Sequence, residues 1–87
     1  MGKMRDFFTL KNAYERIERH KRRRTQLYHS YIKGKGKMSV GRYMEEIRRE
    51  NAFITNEKKL ILATEAKTTP FIKNICRKLY GGNEYED

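Results

Sequence analysis

The sequence predicts an all-α protein, a small bundle of about four helices led by a long basic one. Three observations point there. Apolar residues recur at helical spacing in separate segments, start and stop residues punctuate those segments, and 87 residues allow one small core. A chain of this length reads as one domain over residues 1–87: a basic helix over 1–32, a Gly/Lys hinge over 33–38, a helical body over 39–80 and an acidic tail over 81–87.

In the first element Phe7, Leu10, Tyr14 and Ile17 alternate spacings of three and four, and the same register continues through Lys21 and Arg24 to Tyr28 and Tyr31. The stripe is apolar at its ends and basic in its middle. A helix over residues 7–32 would run about 39 Å, longer than a small core can cover, so part of it is expected to project or to meet another molecule. Gly34 and Gly36, within the KGKGK segment, stop it.

Ser39 is an N-cap residue, and Val40, Tyr43, Met44 and Ile47 follow at helical spacing, predicting a second helix that ends near Asn51. Residues 52–64 admit two readings. Glu57, Lys58, Lys59, Glu65 and Ala66 favour a third helix capped at Thr55. The alternative is α+β, with a hairpin at 52–64 whose arms flank NEKK, because the unbroken run Leu60 to Ala63 has no diagnostic period. Thr69 and Pro70 open a last helix, Gly81 and Gly82 close it, and Phe71, Ile72, Ile75, Cys76 and Leu79 supply its inward face.

Charge carries the functional signal. Net charge is +10, and residues 1–38 hold twelve Lys and Arg against three acids, while residues 39–87 hold nine against eight. A like-charged block repels itself and is best understood as the complement of a polyanion, of which nucleic acid is the commonest in cells. Six basic residues run unbroken from Arg19 to Arg24. Arg16, Arg19, Lys21, Arg22, Arg23 and Arg24 are candidates for neutralising phosphates, with Lys33, Lys35 and Lys37 as further contacts on the glycine-rich segment. Tyr28 and Tyr31 could stack on bases, although core packing is the simpler fate for a tyrosine at these positions.

A second candidate surface is the last helix. If residues 56–67 are helical, the short link to Thr69 has the form of a helix-turn-helix, and Lys73, Asn74, Arg77 and Lys78 would share the outward face. Arg and Lys pair guanine edges and Asn pairs adenine, which is the chemistry of base reading.

Catalysis has no such support. His20 and His29 read as exposed residues of a basic helix, Cys76 as a small core residue, and no set of His, Cys or carboxylates has metal-ligand spacing. No phosphate-cradling glycine loop or nucleophile motif is present. The expectation is a binding protein without enzyme activity, metal or cofactor. One cysteine and the lack of a leader or long apolar span predict an intracellular chain, cytoplasmic or in the nucleoid or nucleus, with no membrane association. The expected partner is nucleic acid, DNA ahead of RNA. A homodimer through Phe7, Leu10, Tyr14 and Ile17 is a further expectation. The alternative is an interaction module or small inhibitor that docks its basic helix on an acidic protein.

Overall fold

The computed structural model describes residues 2–34 and 38–80, with side chains from residue 4 onward. The described residues form three helices: α1 (Gly2–Lys33), α2 (Val40–Glu65) and α3 (Pro70–Tyr80). The described residues contain no strand, so the hairpin at 52–64 is not formed. The second and third predicted helices are one continuous element instead of two. No Gly or Pro lies between Val40-Gly41 and Pro70 to break it, and residues such as Asn51, Thr55 and Asn56 cost only a few tenths of a kcal/mol each in a helix interior.

Cross-helix contacts show why that continuity is favoured. Arg16 meets Glu57, Arg24 meets Asn51, and Tyr31 stacks on Tyr43, so residue numbers rise along α1 as they fall along α2. The two helices form an antiparallel hairpin, and α2 accompanies α1 through most of its length. The projecting half expected of α1 is therefore covered along one side by a helix nearly as long. The hinge residues Lys35 to Lys37 and the acidic tail lie outside the described residues.

Two of the three expected caps form, at Ser39 and Thr69, whereas Thr55 lies within α2. Ser39 Oγ accepts a hydrogen bond from the Arg42 amide at 3.1 Å. Thr69 Oγ1 accepts from the Ile72 amide at 3.4 Å, with Pro70 opening α3. The reversal between α2 and α3 is closed by the Lys67 and Thr68 amides donating to the Thr64 carbonyl at 3.0 Å each.

The core sits where all three helices meet. Leu10, Ala13, Tyr14 and Ile17 of α1, Ile54 and Ile61 of α2, and Cys76 of α3 are buried together, with Phe7, Ile72 and Tyr80 packed against them. Tyr80 stacks on Tyr14 with ring centroids 5.7 Å apart. The α1 stripe is thus consumed inside the chain: Leu10 and Ile17 are fully buried and Tyr14 nearly so. A dimer formed through that stripe would have to dismantle this core.

Helix α3 is rotated from its expected orientation. Ile72 and Cys76 face inward, but Phe71 and Leu79 are exposed at 70% and 62%.

Two outcomes test this core. Ile17→Ala should lower unfolding stability by about 2–5 kcal/mol in a urea titration, a loss large enough to leave so small a core marginal. Burial, with the nearby Glu65 carboxylate adding to it, pushes the Cys76 thiol above its ordinary pKa. Alkylation of native protein near pH 8 should therefore proceed only as fast as the chain unfolds, and should be immediate in denaturant.

Candidate nucleic-acid interface

The basic block does not act as a single surface. Its cations divide according to what α2 sets against them. Arg16 donates from Nε to Glu57 Oε1 at 2.8 Å. His20 Nδ1 lies 2.7 Å from Glu50 Oε1, and the same carboxylate oxygen is 3.8 Å from Arg23 Nε. The His20 ring also stacks on Phe53, with centroids 4.7 Å apart and 13° between planes. His20 is therefore a partly buried bridging residue, contrary to the exposed position expected from its basic neighbours.

Glu50 explains this arrangement. It lies in the inward register of α2, three residues after Ile47 and four before Ile54, and is only 4% exposed. A carboxylate at such depth requires cationic or hydrogen-bonding partners, because unsatisfied burial of the charge would cost several kcal/mol. That register is the signal by which the sequence could have paired Glu50 with the basic helix.

On the other side of the α1–α2 pair the contacts differ. Arg24 donates to the neutral Asn51 Oδ1 at 2.8 Å. Lys21 has Glu18 of its own helix at 3.9 Å. Arg19 and Arg22 are exposed and line an open depression of about 630 Å³ whose walls include Tyr14, Glu15, Glu18, Leu79 and Tyr80. A smaller hollow of about 390 Å³ continues it along α1, lined by Glu18, Lys21, Arg22, Thr25 and Gln26. Lys33 is exposed at the end of α1, whereas Lys35 and Lys37 lie outside the described residues.

The aromatic candidates also separate. Tyr31 and Tyr43 stack face to face, with centroids 4.4 Å apart, and tie the hairpin together near its turn. Tyr28 is 50% exposed, with only an edge contact to His29 among the ring pairs, at 5.8 Å.

The surface proposed on the last helix does not assemble. Arg77 turns inward and donates from Nε and Nη2 to the two oxygens of Glu65 at 2.9 Å each. Glu65 is 8% exposed, and its hydrogen bonds hold the Arg77 guanidinium above its ordinary pKa against the opposing effect of burial. Lys73 is half-buried. Only Asn74 and Lys78 stand outside, and Phe71 is exposed on the same helix. A recognition helix would lack the arginine expected to read guanine.

Among the described residues no group of His, Cys, Asp and Glu could hold a metal ion, and no helix is long and apolar enough to cross a membrane.

Removing Arg77 should therefore damage stability. Arg77→Ala leaves the Glu65 carboxylate buried without its bidentate partner and should cost about 3–5 kcal/mol in denaturant unfolding. Asn74→Ala and Lys78→Ala, by contrast, should stay within about 0.5 kcal/mol of the parent. Comparison with protein-family models, with curated proteins and with solved structures finds no match to this chain.

Proposed function

We propose that this chain is a small nucleic-acid-binding protein that acts by occupancy, as a regulator, packaging factor or replication-control factor would, with no catalytic step. One observation carries the reading. The basic block is neutralised on one side by Glu50 and Glu57 of α2, while Arg19 and Arg22 stand exposed over an open depression, and Lys21 and Arg22 line the hollow that continues it along α1. Glu15 and Glu18 of the same helix offset only part of this charge, and concentrated like charge destabilises the compact state unless an anionic partner complements it.

The mechanism is phosphate neutralisation with release of condensed counterions, which makes affinity fall steeply with salt. Reading of a duplex by α1 inserted in the major groove is disfavoured by size. That groove is about 12 Å wide, about the width of one helix with its side chains, and α1 carries α2 along its flank. The molecule measures 51 × 23 × 18 Å. The cations therefore meet a backbone from outside. Such a ligand implies an intracellular location, in the cytoplasm or with the nucleoid or nucleus.

A second reading has its own observation. Phe71 and Leu79 are exposed on α3 beside Lys78, so a protein partner with an acidic, partly apolar surface could dock there, and so could a second copy of the chain. Sedimentation velocity and pull-down with acidic peptides address that reading.

Fluorescence anisotropy with labelled DNA and RNA across a salt series tests the first. Saturable binding is expected, with a log–log salt slope that becomes shallower by about 1 to 2 in Arg19→Ala/Arg22→Ala. Arg23→Ala, on the side compensated by Glu50, should change the slope far less. Binding without salt dependence, or a double variant with the parent's slope, would count against this assignment.

A further inference from the structure

We infer that the ligand of these α1 cations is a single-stranded polynucleotide, laid along the part of the α1–α2 groove that α3 leaves uncovered, with a base stacked on Tyr28. The inference rests on the nucleic-acid reading above and names its substrate class.

Seven residues make almost two helical turns, so positions seven apart share a face. On α1 one such line is Phe7, Tyr14, Lys21 and Tyr28; on α2 the matching line is Glu65, Lys58, Asn51 and Met44. Helix α3 covers the first part of both. Tyr80 stacks on Tyr14, Phe7 packs at the shared core and Arg77 grips Glu65. Beyond Tyr80 the same two lines continue without α3, and their character changes from apolar to basic and then to aromatic and aliphatic.

Lys21 and Arg24 come first, followed by Tyr28, Ile32, Val40 and Met44, which are 50–61% exposed. Positions 21, 24, 25, 28 and 32 of α1 and 40, 44, 47, 51, 55 and 58 of α2 include no carboxylate. Glu18, 3.9 Å from Lys21, marks the near end.

This composition discriminates between nucleic-acid forms. A duplex offers its exterior phosphates and keeps its base faces stacked inside, so Tyr28 and the aliphatic side chains beside it would have nothing to meet. An unpaired strand offers both groups at once: phosphates for Lys21, Arg22 and Arg24, and π-faces for Tyr28 with its apolar surround. From Lys21 to Ile32 the helix advances about 16 Å, the length of roughly five stacked nucleotides at about 3.4 Å each. Tyr31 and Tyr43 are occupied by each other, which leaves Tyr28 as the available ring on this face.

The chain has no tryptophan, so Tyr28→Trp introduces a sole indole at the proposed stacking position. Tyr28→Ala removes the ring, and because Tyr28 is half exposed both variants should keep the parent's helical circular dichroism. Titrations use oligo-dT, oligo-U and a duplex of equal length, and comparing the first two separates DNA from RNA as the strand's source. The expected result is quenching of the indole at saturation by a single strand. Tyr28→Ala should lose roughly five- to a hundred-fold in affinity for single strands, with duplex binding unmoved. An indole unaltered at saturation, or a Tyr28→Ala loss equal for duplex and single strand, would overturn the groove assignment while leaving salt-dependent nucleic-acid binding intact. No salt-dependent binding of any of the three by the parent would overturn the nucleic-acid reading itself, and this inference with it.

Discussion

Compensation of the positive charge on α1 is the constraint on which the other features depend. A helix with six consecutive basic residues, isolated in water, repels itself. Here Glu57 and Glu50 of α2 draw Arg16, His20 and Arg23 to one side, and Arg77 of α3 does the same for Glu65. Glu50 and Glu65 are buried, and neither could be so without a cation in reach. Their needs fix the register of α1 against α2 and the rotation of α3.

The division of labour along the hairpin follows. Where the three helices meet, ordinary apolar burial holds them, through Leu10, Tyr14, Ile17, Ile54, Ile61 and Cys76. Further out no third helix contributes, and the pair is held by discrete contacts: the His20–Phe53 stack, the Arg24–Asn51 hydrogen bond and the Tyr31–Tyr43 stack. Each is worth on the order of 1 kcal/mol, much less than a core residue, so the outer half is the less stable half. It is also the half with exposed cations and a half-exposed tyrosine. Low local stability and exposed charge coincide there, because neither helix of the pair is covered by a third in that half.

Helix type and caps were readable from the sequence because they are local. Ser39, Thr69 and Pro70 act through their own backbone neighbours, and the stripe from Phe7 to Ile17 announces its burial by spacing alone. The number of helices was not, because residues 51–56 carry neither a breaker nor a strong former, and the continuous partner offered by α1 tips the balance to one helix. The face of α3 was misread for a similar reason. Five apolar residues define a broad arc, and the face that buries Ile72 and Cys76 in place of Phe71 and Leu79 is also the one that brings Arg77 to Glu65.

By itself, the sequence determined that the protein is helical, that helices open after Ser39 and Thr69, and that its excess charge lies in the first 38 residues, since propensity, capping and charge are properties of short stretches. Only the tertiary structure decided which cations are consumed and which remain. Arg16, Arg23 and Arg77 are separated from Arg19, Arg22 and Arg24 by carboxylates that lie between 12 and 41 residues away along the chain, brought near by antiparallel pairing. Electrostatic compensation acts through space over a few ångströms, and no periodicity along the chain encodes that distance.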